Sequence, residues 1–397
     1  MVAERAPSGR RAPVPATDLD LRVPPLHELH TRRSEKWADH EPDVLAATVA
    51  EMDFPLAPPV TKTLQAALDR HDLGYAYGIT PALADAFTGF ARRRLDWTVD
   101  PDQLTLVPDV MWGILEAARL LAGPDRTVAF AEPAYPPFLT EPAGAGLAGR
   151  SVPLHADGAL DLDALDRTLT EGTRVFILAS PHNPTGRVIP RDELVRLADL
   201  CASHDTWVLA DEIHAPLVLP GATHVPWLEV SGAARERGIA FTSASKAFNL
   251  AGLKAALAVT ASDRARDAVA RLPPMGEHAG LLGVLAAEVA FVHGDPWLDA
   301  VLATLDANRA LLADRLAAEL PEVRWTPPQA TYVAWLDCRA LGLGDDPAAA
   351  FLRDGRVALS PGPDYGAAGA GFARLNFGTS PELVAEAVRR MALARRR

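Results

Sequence analysis

The sequence predicts an α/β protein in which a three-layer α/β/α unit, built on a mostly parallel seven-stranded sheet, is followed by a smaller α+β unit. Short apolar runs of strand length recur through the middle of the chain, and segments with helical periodicity separate them. This alternation is typical of a parallel sheet with helices on both faces. A long amphipathic stretch, residues 296–320, then leads into the smaller unit.

The predicted elements follow one another in a regular order. Strands are expected at 104–107, 127–131, 149–154, 174–179, 206–210, 239–242 and 255–260. Helices are expected at 60–70, 81–95, 110–121, 160–169, 191–204 and 230–238, and the smaller unit adds strands at 324–326 and 331–336 and a helix from 381 to about 396. Ligands of open α/β sheets bind beyond the carboxyl ends of the strands, so the residues that follow each strand are examined for chemistry.

The chain divides into four segments. Residues 1–20 are rich in Arg, Pro and Ala without a hydrophobic stretch, which predicts a disordered leader rather than a secretory signal. Residues 21–59 are interrupted by prolines and carry helical signals only at 44–50, so we expect an extended arm that packs with the small domain. A large domain over 60–294 and a small C-terminal domain over 295–397 complete the prediction.

Composition narrows the possible partners and the compartment. With 397 residues, 49% of them hydrophobic, the chain can bury a sizeable core. A net charge of −12 argues against nucleic acid or an anionic membrane as the main partner. No apolar run approaches the ~18 residues of a membrane-spanning helix. Two cysteines, Cys201 and Cys338, make no disulfide framework, so we expect a cytoplasmic protein.

Polar motifs follow four of the predicted strands. They are Glu132-Pro133-Ala134-Tyr135-Pro136, Ser180-Pro181-His182-Asn183-Pro184-Thr185-Gly186, Asp211-Glu212-Ile213-His214 and Ser243-Ala244-Ser245-Lys246. Each motif has an ordinary explanation when it is taken alone. Asn-Pro-Thr-Gly is a turn sequence, an acidic pair at a strand end often caps a helix, and a lone lysine is usually exposed. Their common position, after the strands of one sheet, indicates a shared site.

In this order the motifs resemble those of fold-type I enzymes that depend on pyridoxal 5'-phosphate (PLP), in the class I/II aminotransferase superfamily. The resemblance covers the chain from roughly residue 30 to its end and implies an aspartate-aminotransferase-like fold. Several segments resemble more narrowly the cystathionine β-lyase, or C–S lyase (MalY/PatB-type), branch of cysteine and methionine metabolism. Besides the motifs at 181–186 and 211–214, these are Lys36-Trp37, Val49-Ala50-Glu51-Met52-Asp53-Phe54, Pro133-Ala134-Tyr135-Pro136-Pro137-Phe138 and Ser245-Lys246-Ala247-Phe248-Asn249-Leu250-Ala251-Gly252.

The resemblance implies a role for each of these residues. Lys246 would hold PLP as a Schiff base, which suits a lysine because its pKa falls readily in a low-dielectric site. Asp211 would keep the pyridine nitrogen protonated, so that the ring withdraws electrons. Asn183 and His214 would contact the phenolate oxygen of the ring, and Tyr135 would stack on its face.

The resemblance also places the phosphate of PLP, the substrate and a second subunit. The implied phosphate ligands are the backbone N–H groups of Val110 and Met111, at a helix start that favours an anion, and the side chains of Ser243, Ser245 and Lys254. Arg374 would clamp the α-carboxylate of an amino-acid substrate in a bidentate manner. Tyr75 resembles a tyrosine that reaches the phosphate from a partner subunit, which implies a homodimer with shared sites. The eleven histidines form no HExxH or Cys/His array, so no metal site is expected.

The branch implies α,β-elimination from cystathionine or another S-substituted L-cysteine, with thiol, pyruvate and ammonia as products and Lys246 as the base at Cα. An amino-acid aminotransferase uses the same Lys, Asp, Asn and Arg, so the sequence hardly separates the two reactions. Oxidative or decarboxylating chemistry on a cysteine conjugate is a further alternative. A PLP-binding regulator without turnover is another, although the leader is too short for a DNA-binding module. Thr48, Glu51 and Ser180 depart from the branch pattern and leave the substrate open.

Overall fold

The structure is a computed structural model that describes residues 19–38, 40–274 and 278–395. The leader predicted at 1–20 therefore lies, apart from Leu19 and Asp20, outside the described residues.

A seven-stranded sheet forms the centre of the protein. In spatial order its strands are β2 (Leu104–Val107), β8 (Ala256–Val259), β7 (Gly238–Thr242), β6 (Trp207–Asp211), β5 (Val175–Ala179), β3 (Thr127–Glu132) and β4 (Ala148–Pro153). All neighbouring strands are parallel except those that flank β8, which runs antiparallel to both β2 and β7. Each strand starts and ends within one residue of its predicted position. The predicted fold class is confirmed.

Helices cover both faces of this sheet. They are α3 (Pro58–Asp69), α4 (Pro81–Leu95), α5 (Val110–Leu121), α6 (Pro136–Gly144), α7 (Leu162–Thr170), α8 (Arg191–Ser203), α9 (Gly232–Glu236), α10 (Ala244–Ala247), α11 (Asp263–Val269) and α12 (Leu281–His293). Successive strand residues point to opposite faces, so Val175 and Ile177 pack with α5 and α11 while Phe176 and Leu178 pack in the other core. The sheet is therefore apolar on both sides, as its continuous hydrophobic runs predicted.

A five-stranded sheet forms the second unit. Its order is β1 (Leu45–Ala47), β11 (Val357–Pro361), β12 (Phe372–Asn376), β10 (Val333–Asp337) and β9 (Arg324–Trp325). The remaining helices are α1 (Leu26–Leu29), α2 (Glu35–Ala38), α13 (Asp295–Glu319), α14 (Pro347–Gly355) and α15 (Pro381–Ala394). β1 pairs in parallel with β11, whereas the other pairs are antiparallel. The strand β1 thus adds a piece of the N-terminal arm to a sheet made by the end of the chain.

The structure departs from the helical signals of the sequence at two places. The helical signals at 44–50 fall on β1, where pairing with β11 determines the local structure, because tertiary contacts override a weak propensity over so short a segment. The helix predicted at 230–238 is reduced to α9, since Gly238 already begins β7. A Cβ on Gly238 would lie 2.2 Å from the carbonyl oxygen of Ala234, so the strand begins where only glycine fits.

The helix α12 was not predicted because it is apolar on nearly all sides and so lacks a helical periodicity. Within the described residues, no single helix is long and apolar enough to cross a membrane. The helices α12 and α13 reach that length and composition only when they are counted together, and the chain bends by 82° at their junction.

Candidate active site

A cavity of about 340 Å³ lies at the carboxyl ends of β5, β6 and β7, beside the start of α5. Every residue predicted to bind the cofactor lines this cavity except Tyr75. The lining residues that had been predicted are Val110, Met111, Tyr135, Asn183, Asp211, His214, Ser243, Ser245, Lys246 and Lys254. The sheet therefore gathers residues that are far apart in the sequence into one site.

Lys246 lies on the short helix α10, directly after β7. The hydroxyl of Ser243 caps this helix by accepting the N–H of Ser245 at 3.1 Å, which directs the lysine into the cavity. Its Nζ donates to the carbonyl oxygen of Ala50 at 2.9 Å. Burial, followed by the positive charge of Arg374, lowers the pKa of Lys246 to about 8. A substantial fraction of this amine is therefore neutral, and hence nucleophilic, near physiological pH.

The carbonyl group of Ala50 belongs to a segment that touches both sheets. The hydroxyl of Tyr332 donates to the same Ala50 oxygen at 2.8 Å. On the large-sheet side, the amide of Asn249 binds the backbone N–H and carbonyl of Met52 at 2.9 and 2.8 Å. From β12, Asn376 donates to the carbonyls on either side of Ala50 at 2.6 and 2.7 Å. These contacts fix the acceptor that holds Lys246.

Asp211 is the last residue of β6 and is 8% exposed. One oxygen accepts the backbone N–H of Ile213 at 3.1 Å, and the other has no partner among the described residues. Burial raises the pKa of Asp211 to about 6, although the Ile213 N–H and the charge of Lys246 act in the opposite direction. A cationic N–H placed against the unpaired oxygen would satisfy this carboxylate.

His214 and Asn183 lie on the same wall of the cavity. Burial, and then the charges of Lys246 and Arg374, lower the pKa of His214 to about 3, so its ring is neutral at physiological pH. Its Nδ1 is buried without a hydrogen-bond partner among the described residues. The amide oxygen of Asn183 accepts from Arg374 at 3.0 Å. The Asn183 amide nitrogen, for which no partner occurs in the same described part of the chain, stays available for a ligand.

The opposite end of the cavity is suited to an anion. Asp109 caps α5 by accepting the N–H of Trp112 at 2.8 Å, and the N–H groups of Val110 and Met111 have no partner among the described residues. Such free donors at a helix N-terminus bind phosphate. The Nζ of Lys254 lies 3.0 Å from Asp109 Oδ2, at the same end.

Two side chains at this end of the cavity, those of Ser243 and Glu141, are not free hydrogen-bond donors. The Ser243 hydroxyl donates to the carbonyl of Ala255 at 2.6 Å, so its hydrogen is already used. The hydroxyl of Ser245 donates no hydrogen bond within the described residues. Glu141 of α6 also lines the cavity. Burial and the neighbouring Asp109 raise the pKa of Glu141, and the charge of Lys254 acts in the opposite direction.

Two predicted residues do not line the cavity. Arg374 lies on β12, is 4% exposed and reaches the site through its bond to Asn183; its other guanidinium partners are the carbonyl of Thr48 and the hydroxyl of Ser360, both at 3.3 Å. Tyr75 is 92% exposed, and its backbone forms an isolated bridge with Gly280.

Several site residues were not predicted from the sequence. Asp109 could have been found, because an Asp directly before a predicted helix is a capping signal. Ala50 contributes a backbone atom, and Tyr332 lies in an ordinary strand pattern 282 positions away from it. Trp112 and Glu141 line the cavity from the faces of α5 and α6 and carried no local signal.

The residues present fit PLP. An amine with a lowered pKa, a buried carboxylate that lacks one partner and the free N–H groups at the start of α5 all line one cavity. These match, in turn, the aldehyde, the pyridinium nitrogen and the phosphate of that cofactor. The buried, unpartnered Nδ1 of His214 adds a polar atom that a bound ring could satisfy.

Comparison with known proteins agrees with this fit. The sequence matches the family model described as aminotransferase class I and II over residues 42–391. It is 34% identical to the cystathionine beta-lyase of Corynebacterium glutamicum, over 94% of this chain and 99% of that protein. It is 34% identical to the cystathionine beta-lyase PatB of Bacillus subtilis (strain 168), over 89% and 92%. A solved structure from Corynebacterium diphtheriae, described as a "putative plp-dependent beta-cystathionase", is 33% identical with a TM-score of 0.90, over 95% of this chain and 100% of that chain.

Proposed function

The chain belongs to the aminotransferase class I and II family, and from this premise we propose that it is a PLP-dependent carbon–sulfur β-lyase acting on cystathionine or another S-substituted L-cysteine. The resemblance to the cystathionine β-lyase branch, predicted from the motifs, is confirmed by relatives of that name. The observation that carries the proposal is that Lys246, Asp211 and the start of α5 open onto one cavity. Catalysis by PLP needs these three groups together.

In this assignment each end of the cofactor has its own protein ligands. Lys246 would attach it covalently, Asp211 would accept a hydrogen bond from the ring nitrogen, and the N–H groups of Val110 and Met111 would hold the phosphate. When bound, PLP supplies an electron sink that stabilises negative charge developing at the substrate Cα.

The protein residues would then direct the elimination. Arg374 would bind the substrate α-carboxylate, next to its existing bond to Asn183. Lys246, released when the substrate amine takes its place, would accept the proton from Cα, for which an amine with a pKa of about 8 is suited. The Cβ–S bond then breaks and its electron pair leaves with sulfur, which takes up a proton as the thiol. Addition of water to the remaining three-carbon unit yields pyruvate and ammonia.

The decisive experiment is product analysis with purified holoenzyme and L-cystathionine or an S-alkyl-L-cysteine. We expect thiol and pyruvate in equal amounts, and neither from the Lys246→Ala protein. Production of an amino acid from 2-oxoglutarate in the same mixture, without thiol release, would instead identify an aminotransferase, the activity for which the family is named. PLP bound without turnover of any substrate in a broad panel would contradict both activities and favour a regulator.

We also propose a cytoplasmic homodimer with shared sites. The turn that carries Tyr75 exposes Tyr77 and Leu73 as well, an unusual set of apolar groups for a surface turn. Coverage by a second copy would bring Tyr75 to the partner's cavity. The described cysteines Cys201 and Cys338 are both free thiols, as in a reducing compartment.

Subunit mixing tests the shared site. The Lys246→Ala and Tyr75→Ala proteins should each have low activity, and reassortment of the two should restore activity, because one site of the hybrid then has both residues intact. A mixture no more active than its components would contradict the assignment of Tyr75. Sedimentation of the wild-type protein as a monomer would contradict the homodimer itself.

A further inference from the structure

Arg374 is a buried cation without a carboxylate partner among the described residues. Its hydrogen-bond partners are all neutral: the amide oxygen of Asn183, the carbonyl of Thr48 and the hydroxyl of Ser360. Its Nε is buried and makes no hydrogen bond in the described part of the chain. A buried charge in this state is costly unless something else stabilises it.

That stabilising group is the ring of Tyr365. The guanidinium carbon of Arg374 lies 5.1 Å from the centroid of the Tyr365 ring, and Tyr365 is 2% exposed. A guanidinium group over an aromatic face is attracted by the electron density of the ring, most strongly when both are desolvated. Because this contact involves the ring and no hydrogen bond, it takes up none of the N–H donors of Arg374, and the buried Nε–H remains without a partner among the described residues. An Asp or Glu counter-ion would occupy such donors.

Neighbouring side chains hold Tyr365 in this place. Trp335, the cross-strand neighbour of Arg374, packs edge-on against the Tyr365 ring at 5.2 Å. Ser360, the neighbour on the other side, accepts a hydrogen bond from Arg374 at 3.3 Å. The backbone carbonyl of Tyr365 also accepts the N–H of Ala134 at 2.9 Å, just before Tyr135 in the cavity wall.

We propose that Tyr365 is a positioning residue for substrate recognition: its ring lies against Arg374 and holds that cation, in place of a protein counter-ion, ready to receive the α-carboxylate. This inference rests on the role proposed for Arg374. It concerns binding rather than which bond of the substrate breaks, so it holds for a lyase and for an aminotransferase alike.

The test compares two unreactive ligands of the holoenzyme, 2-aminoisobutyric acid and its carboxamide. Neither has a Cα hydrogen, so the absorption change of the bound cofactor reports a dissociation constant without turnover. The wild-type protein should prefer the acid. The Tyr365→Leu protein should bind the acid about tenfold more weakly, as expected for the loss of a buried cation–π contact, and the amide almost unchanged. The Tyr365→Phe protein keeps the ring and should retain most of the preference.

Two controls separate positioning from loss of structure. Trp207→Leu removes the ring that lies against Arg237 and Arg264 at the start of β6, a cation–π contact outside the cavity lining, and should leave the preference for the acid unchanged. If Tyr365→Leu does not fold, pentafluorophenylalanine at position 365 keeps the shape while reversing the ring electrostatics, and should also reduce the preference. Equal weakening of acid and amide by Tyr365→Leu, or a preference retained with the fluorinated ring, would overturn the inference.

The outcomes also distinguish this inference from the proposed function. A wild-type protein that binds acid and amide equally would overturn both the clamp role of Arg374 and the role of Tyr365. Absence of thiol and pyruvate from cystathionine would overturn the lyase proposal only, since the preference for the carboxylate would still be measurable in the same holoenzyme.

Discussion

Lys246 and Tyr332 donate hydrogen bonds to the same oxygen, the backbone carbonyl of Ala50, at 2.9 and 2.8 Å. One donor follows a strand of the seven-stranded sheet and the other precedes a strand of the five-stranded sheet. A single backbone carbonyl therefore connects the reactive amine to both parts of the fold. If a cofactor were attached to Lys246, the Ala50 carbonyl would lose its hydrogen bond from that amine. The hydroxyl of Tyr332 would then be its remaining donor.

Replacement of Tyr332 by Phe should lower the free energy of unfolding by about 1 kcal/mol, the usual net value of one buried hydrogen bond. Chemical denaturation of the cofactor-free protein measures the change. The control is Ser151→Ala, which removes an exposed hydroxyl from β4 and should have no effect. Equal stability of the Tyr332→Phe and wild-type proteins would argue against the Ala50 contact.

The reaction of Lys246 with aldehydes should depend on pH in a defined way. Its pKa lies near 8, below that of an ordinary lysine, because burial disfavours the charged form. The neutral amine is the nucleophile, so the rate at which the cofactor-free protein binds PLP covalently should rise with pH up to about 8 and then level off. Stopped-flow absorption between pH 6 and 10 would show this; a rate that continues to rise toward pH 10 would contradict it.

Asp211→Asn should stabilise the cofactor-free protein at neutral pH. Burial raises the pKa of Asp211 from 3.8 to about 6, so the folded state binds the proton more tightly than the unfolded state does. The wild-type protein therefore loses stability as pH rises from about 4 to 6, on the order of 3 kcal/mol in all, and the amide does not. Urea unfolding at pH 4.5 and 7.5 measures the difference, with the exposed Asp85→Asn as control. The same variant should bind PLP more weakly.

The buried ion pair of Lys36 and Asp53 should be sensitive to the loss of one partner. The charged atoms are 2.8 Å apart and both side chains are 1% exposed. Lys36→Met leaves the buried Asp53 carboxylate with only the indole N–H of Trp37 and the more exposed Arg32, 3.8 Å away, so we expect a loss of about 3 kcal/mol, the lower end for breaking a buried pair. Thermal unfolding would measure this loss of stability. Adding Asp53→Asn to this variant removes the poorly compensated charge and should restore part of the lost stability.

Lys254→Met should weaken the binding of PLP more than the binding of pyridoxal, which lacks the phosphate. The substitution removes a cation next to the free N–H groups of α5 and leaves Asp109 facing the anion. Equilibrium titration of the cofactor-free protein with each compound gives the two affinities. We expect about a tenfold loss for PLP, equivalent to 1.4 kcal/mol, and little change for pyridoxal. Equal losses for both would place Lys254 outside the phosphate site.

Local sequence patterns predicted the seven-stranded sheet and most of the cavity wall. The strands are short apolar runs, and the residues that line the site follow them directly in the chain, as Asp211 follows β6 and Lys246 follows β7. In contrast, the segment of β1 carried helical signals, and its strand structure depends on pairing with a strand near the other end of the chain.

The rest of the site could not be predicted because its contacts are tertiary. Tyr332 reaches Ala50 across 282 positions, and Arg374 reaches Asn183 across 191. Tyr365 carries no motif, and its relation to Arg374 appears only when β10, β11 and β12 are assembled. Tyr75 stays a prediction, since a single chain does not contain the neighbour that would complete its role.

The parallel pairing of β1 with β11 has a consequence for synthesis on the ribosome. Near this pair, Arg356 forms an ion pair with Asp43, 313 positions earlier in the chain. The strand β1 is translated first and stays unpaired until nearly the whole protein has been translated. The strands of the seven-stranded sheet, in contrast, can pair as soon as β8 has been translated. We expect nascent chains halted after residue 294 to hold a folded α/β layer and a free arm that proteases can cut.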